Sequence, residues 1–184
     1  EEAHIVYDNH IEQLFEPGKN YLYVDVGGGS TEINLISEGE LKSSRSYNIG
    51  TVRMLSGMVK NEEKEQMHTD LEVLAKEYAP IHIIGSGGNI NKLFRLADKK
   101  DKKQLFLPLA SLQDIYRTLK DLPKEQRIKL FKLKPDRADV IVPAAEIFME
   151  VATRVQANGI IVPTIGLSDG IIDSLYTKNR QWMQ

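Results

Sequence analysis

The chain has 184 residues, 41% hydrophobic and 27% charged, ordinary values for one globular domain whose core needs no crosslinks. A formal net charge of -2 gives no global attraction to nucleic acid or any other polyanion, so an anionic ligand must be held by a local site. The absence of cysteine excludes thiol catalysis, thiolate metal centres and disulfides, and no apolar run reaches membrane-spanning length.

From Glu1 to Phe15 the apolar Ile5, Val6, Ile11 and Leu14 fall at roughly helical spacing. A helix is expected there, ended by Pro17 and Gly18. His4 and His10 have no companions at metal-ligand spacing. No signal peptide is visible, and the chain starts at Glu1 without Met, so it is expected to be a fragment or a processed product.

Tyr21 to Val24 is an aliphatic and aromatic run suited to a buried strand, yet it ends at Asp25, which packing does not call for. Gly27, Gly28 and Gly29 follow, then Ser30, Thr31 and Glu32, and alternation resumes at Ile33 and Leu35 as a second strand. The glycines therefore sit at a hairpin tip with Asp25 and Glu32 on its shoulders. Without Cβ atoms in the way, successive N–H groups converge on an anion, and the Ser30 and Thr31 hydroxyls add donors. Two carboxylates beside such a cradle suit a hard divalent cation such as Mg2+. A tight hairpin with glycines for turn geometry alone is the plainer alternative. The full Asp-x-Gly-Gly-Gly-Ser-Thr-Glu run favours phosphate binding.

Glu38 and Gly39 read as a turn and Leu41 to Ile49 as a third strand, giving an antiparallel meander. A helix is expected from Gly50 and Thr51 through Val59. Glu62 to Tyr78 is amphipathic, with Met67, Leu71, Leu74, Ala75 and Tyr78 on one face and solvated charges on the other. Ile81 to Ile84 is a short strand running into Gly85-Ser86-Gly87-Gly88-Asn89, after which Ile90, Leu93, Phe94 and Ala97 mark a helix face. Such a turn presents N–H groups and the positive end of a helix to an anion or nucleotide, although many α/β folds use one for packing alone.

Asp98 to Lys103 is a charged turn, read as a solvated loop with a polyphosphate patch as the lesser alternative. The stretch 105–135 reads as an interrupted helical insertion apart from the sheet, with Ser111 and Asp114 as a capping pair. Lys134 to Gly159 holds the longest helix, with Pro143 in its first turn and Asn158 and Gly159 as its C-cap. Ile160 to Val162 is a final strand, and Gly166 to Gly170 opens a last helix.

The Asp25 to Glu32 octapeptide resembles the second phosphate-binding hairpin of the actin-like ATPase superfamily, in the form found in exopolyphosphatases and guanosine pentaphosphate phosphohydrolases. Further segments extend the resemblance over nearly the whole chain. Glu1-Glu2-Ala3 is similar to the end of the family's Ser-Gly-x-Glu-Glu-Ala segment. Gly85 to Asn89 is similar to its glycine turn, which usually continues with Thr where Asn89 stands. Arg137 to Pro143 resembles its Arg-Ala-Asp-x-Ile-x-Pro segment, usually followed by Gly where Ala144 stands, and Leu167 to Gly170 its Leu-Ser-Asp-Gly. The resemblance implies an RNase H-like α/β domain of the actin-like ATPase fold: a mixed sheet with a three-strand antiparallel meander, flanking helices and a helical insertion. Residues 1–184 would form the second domain, with 1–18 an inter-domain segment and the first domain absent.

For function, the resemblance implies Mg2+-dependent hydrolysis of the terminal phosphoanhydride of inorganic polyphosphate, releasing orthophosphate in the cytoplasm. Glu2 matches the family's catalytic glutamate, which orients or deprotonates the attacking water. Asp25 and Glu32 match the acidic residues that position metal and water. Gly27, Gly28, Gly29, Ser30 and Thr31 match the phosphate loop, and Gly85, Ser86, Gly87, Gly88 and Asn89 a second, nucleotide-side loop. Phosphoryl transfer is mostly positioning and charge neutralisation, so a metal, an N–H cradle and a carboxylate base suffice. Expected partners are polyphosphate or guanosine pentaphosphate (pppGpp), the N-terminal domain of the same protein and, as an open option, a second copy in a homodimer; neither nucleic acid nor membrane is expected. A pppGpp phosphohydrolase is the alternative enzyme, and a non-catalytic nucleotide- or alarmone-sensing module the alternative class. The fragment alone is expected to be inert, because the other half of the cleft carries its own phosphate hairpin.

Overall fold

The structure, a computed structural model, describes residues 15–163. The helix expected over Glu1 to Phe15, the glutamate expected to be catalytic, Glu2, and the last helix expected from Gly166 fall at positions outside these residues or, for Phe15, at their edge.

Strand β1 (Asn20–Val26) is buried at Tyr21, Leu22, Tyr23 and Val24 alike, the pattern of a strand covered on both faces. It turns through the glycines into β2 (Thr31–Ser37), which pairs with it antiparallel, and β3 (Glu40–Tyr47) completes the meander. β3 lies at the sheet edge, where Lys42 and Arg45 guard against pairing with another chain. Helix α1 (Thr51–Leu55) is a single short turn, and α2 (Asn61–Tyr78) follows. Tyr47 donates its hydroxyl to Asp70 of α2 at 2.8 Å, and Arg45 pairs with the same carboxylate at 2.9 Å.

Strand β4 (Ile81–Ser86) runs parallel to β1 on the side opposite β2. After α3 (Gly88–Leu96), the short β5 (Phe106–Pro108) leads into α4 (Leu109–Lys120), α5 (Lys124–Phe131) and α6 (Pro135–Arg154). β6 (Gly159–Ile161) returns between β4 and β5, giving the order β3-β2-β1-β4-β6-β5. α6 touches all five other helices and β1. Its Ile141, Ile147, Phe148 and Val151 join Leu22, Val24, Leu35 and Ile83 in the main core. The opposite sheet face gathers Tyr21, Tyr23, Ile36 and Ile84 in a smaller cluster with Phe15.

The mixed sheet and its meander are as expected, but the C-terminal half differs at four points. The stretch 105–135 is not wholly helical or apart from the sheet, because Phe106 to Pro108 pairs antiparallel with β6. Ser111 is buried inside α4, which starts at Leu109 behind Pro108, so it caps nothing. Pro143 lies well inside α6 rather than in its first turn. Pro135 takes the first position, where a missing N–H costs nothing, and burial of Ala138 and Ile141 keeps the turns before Pro143 helical. That helix closes at Val155, with Gln156 left-handed at φ 57°, while Gly159 enters β6 instead of capping. A Cβ on Gly159 would stand 2.3 Å from the Leu107 carbonyl oxygen, so strand packing is what requires glycine there.

Candidate active site

The strand register builds the floor of the site. Asp25 of β1 stands directly opposite Glu32 of β2, and on its other side opposite Ser86 of β4. Directly opposed residues point to one face with their Cβ atoms about 5 Å apart. Asp25 continues the face that carries Tyr21 and Tyr23, so the row Glu32–Asp25–Ser86 ends an apolar surface with polar groups at the strand tips. Asp25 is half-buried and Glu32 exposed. The Asp25 carboxylate is aimed at the second glycine turn, since a Cβ on Gly87 would lie 3.5 Å from its Oδ1.

The glycine loop is held from behind by α1. Gly27 O accepts from Thr51 N at 3.0 Å, and Gly28 O from Val52 N at 3.0 Å and Arg53 N at 3.2 Å. Gly29 O accepts from Arg53 Nε at 2.9 Å. Three successive carbonyls are thus turned toward the protein. Gly27 N closes the hairpin onto Ser30 O at 2.9 Å, while the N–H groups of Gly28, Gly29 and Ser30 meet no backbone acceptor among the described residues. With Gly27, Gly28 and Gly29 all exposed, this is a cradle of donors open to an anion. Gly50 makes the clamp possible: a Cβ there would lie 2.3 Å from Gly28 O and 2.5 Å from Gly29 C. Just ahead of it, Asn48 donates its backbone N–H and side-chain amide to Glu63, at 3.0 and 3.1 Å. Those bonds hold the Glu63 carboxyl below its ordinary range and tie the approach to α1 onto α2.

Thr31 does not serve as expected. It is wholly buried and gives its hydroxyl to Ile49 O at 2.6 Å, so it fastens the hairpin base instead of facing an anion. Ser30 remains half-exposed at the loop.

In the second loop, Gly85 is buried, and a Cβ there would meet Ile160, Ile90 and Phe148 at 2.8 to 3.1 Å. It is a packing glycine. Ser86 is the last residue of β4, and Gly87 takes φ 109°, a conformation L side chains avoid, to turn the chain into α3. Gly88 and Asn89 already lie in that helix, and Asn89 is buried. Asn89 Oδ1 accepts from Arg137 Nη1 at 2.7 Å, and a Cβ on Gly88 would strike the same guanidinium at 2.5 Å.

The structure therefore joins Asp25, Glu32, the first glycine loop and the Ser86–Gly88 turn in one place. It adds two arginines to which the sequence assigned no role. Arg137 was visible only as part of a motif, and Arg53 gave no signal, because its contact spans 24 residues and depends on how α1 folds back over the hairpin.

A sequence model of the Ppx/GppA phosphatase family matches residues 1–179. Exopolyphosphatase 2 of Mycobacterium tuberculosis is 28% identical over 198 residues, which cover 95% of this chain and 61% of that protein. The chain thus spans 61% of the length of the curated relatives it matches. Among solved structures, the type II variant of the Aquifex aeolicus Ppx/GppA phosphatase superposes with a TM-score of 0.67 at 27% identity, over 91% of this chain and 60% of that one. An exopolyphosphatase from Cytophaga hutchinsonii shares the fold with a TM-score of 0.69 at 21% identity, over 94% of this chain and 64% of its own.

Proposed function

The chain belongs to the Ppx/GppA phosphatase family, and from that premise we propose that it forms one wall of a hydrolase removing the terminal phosphoryl group of inorganic polyphosphate. The observation that carries this reading is the clamped loop: three carbonyls turned away leave consecutive N–H groups facing solvent beside two paired carboxylates. Such donors, fixed before substrate arrives, are suited to the charge of a transferring phosphoryl group. The Mycobacterium tuberculosis relative, named exopolyphosphatase 2, supports polyphosphate as the substrate.

Asp25 and Glu32 fit a Mg2+ ion, which binds through one or two carboxylates together with water and substrate oxygens. No group of three or more His, Cys, Asp or Glu forms a closed cage among the described residues, and an open pair leaves room for phosphate oxygens. When bound, the ion would neutralise charge on the phosphoryl group. In this reading the Gly28, Gly29 and Ser30 N–H groups orient the terminal phosphate, and Glu32, the more exposed carboxylate, orients water at its edge. Glu2 is assigned the part of general base on its family match. A separate domain supplies the facing wall.

Phosphate release from long-chain polyphosphate by the full-length parent protein, with and without Mg2+, tests the proposal. Metal-dependent release of orthophosphate is expected. Release from pppGpp alone would reassign the substrate, and tight pppGpp binding without any release would make the protein a sensor.

A further inference from the structure

If the glycine loop holds a terminal phosphoryl group as proposed, Arg53 has a place beside it. We infer that Arg53 is a further substrate-binding residue, whose guanidinium contacts the phosphate unit next to the one in the loop and so favours condensed phosphates over orthophosphate.

Two bonds fix Arg53 on the loop: its backbone N–H donates to Gly28 O at 3.2 Å and its Nε to Gly29 O at 2.9 Å. The guanidinium is therefore held at both root and head, and its tip runs along the exposed end of the hairpin, with Nη2 3.9 Å from where a Gly29 Cβ would stand. Nε is one of five N–H donors on the side chain. Among the described residues Arg53 enters no salt bridge, whereas Arg45, Arg117 and Arg154 each hold a carboxylate. A positive charge thus stands at the rim of the anion cradle, restrained by a backbone carbonyl; the Glu63 carboxylate is near enough to feel it but forms no salt bridge with it.

The guanidinium lies on the carbonyl side of Gly29, while the donors that hold the terminal group lie on the N–H side. A cation so placed is beside that group, not over it, and meets the neighbouring unit of a phosphate chain. Planar guanidinium donors match two phosphate oxygens at once, which a lysine ammonium does not.

The test is binding of sodium tripolyphosphate and of inorganic phosphate to the full-length parent, by calorimetry and by amide NMR shifts, in wild type, Arg53→Ala, Arg53→Lys and Leu55→Ala. Loss of one charge-assisted contact predicts a fall in tripolyphosphate affinity of about ten- to a hundredfold in Arg53→Ala. Inorganic phosphate should weaken by less than about threefold by the same reasoning, Arg53→Lys should be intermediate, and Leu55→Ala, on the same short helix, should match wild type. Equal loss for both ligands, with displaced Gly27 to Ser30 amide signals in the free protein, would reduce Arg53 to a loop support and overturn the inference. So would unchanged tripolyphosphate affinity, or a wild type with no preference for it. These readouts do not require turnover. A parent that hydrolyses no polyphosphate, yet loses its tripolyphosphate preference in Arg53→Ala, would sink the hydrolase reading and leave this one standing.

Discussion

Gly50→Ala removes no functional group, yet it should unseat the glycine loop. Gly50 has φ -138° and ψ 166°, which alanine adopts freely, so backbone strain plays no part. The obstacle is space: the new methyl carbon would sit 2.3 Å from Gly28 O, 2.4 Å from Gly28 C and 2.5 Å from Gly29 C. All three are backbone atoms of a loop tied down at both ends, and no rotamer change relieves them. Overpacking of this kind costs about 1–3 kcal/mol, and the lower entropy of an unfolded alanine chain returns about 0.4–1 kcal/mol. The net loss, about 0–2.6 kcal/mol, corresponds to a melting midpoint lower by up to roughly 10 °C for a chain of this size. Gly57→Ala is the comparison, since its φ of 66° disfavours alanine while its surroundings are open. It should cost about 1 kcal/mol through backbone strain alone. Urea melts would rank the two variants, and amide NMR with added inorganic phosphate would read the loop. Only Gly50→Ala should shift the Gly27 to Ser30 signals and abolish their response to phosphate. A Gly50→Ala protein with wild-type stability and an undisturbed loop would refute the clamp.

On the proposed reading, Asp25→Asn and Glu32→Gln in the full-length parent should each lower Mg2+-dependent phosphate release about a hundredfold or more without lowering the melting midpoint; near-normal turnover in both would remove them from the proposed metal site. Thr31→Val should cost about 1–3 kcal/mol in urea unfolding, because the buried Ile49 carbonyl loses its donor, whereas Thr31→Ser should stay near wild type. His82 packs on the Tyr21 ring, with centroids 5.7 Å apart. Burial and then nearby Lys19 lower its pKa from 6.5, with Glu16 opposing. A base lowered on folding adds stability above its unfolded pKa and loses it as pH falls, so stability should decline below about pH 6.5. His82→Gln should flatten that slope in melts between pH 7.5 and 5; an unchanged slope would place the titrating group elsewhere.

Sequence reading reached the β-rich N-terminal half because its signals are local. A continuous apolar run from Tyr21 to Val24 and alternation resuming at Ile33 and Leu35, separated by three glycines, state the hairpin directly. It went astray where long-range packing decides. Phe106 to Pro108 is a strand only because β6, more than fifty residues later, is there to pair with it. Pro143 looked like a helix start because a proline inside a helix is disfavoured, and only the burial on both sides of it keeps α6 continuous. At the site, residue types were legible and their division of labour was not. Thr31 and Gly85 belong to motifs that suggest ligand contact, yet one ties down the hairpin and the other makes room for Phe148.

The row Glu32–Asp25–Ser86 crosses three strands, and strand spacing is nearly invariant at about 4.8 Å. The two glycine turns therefore hang from a ruler of fixed length, roughly 10 Å from Glu32 to Ser86. A longer side chain or a shifted helix moves the rim, but it does not stretch that ruler. Relatives built on this register have one floor width in common. Differences in what they accept must then be written around the edge, in residues that overhang the floor.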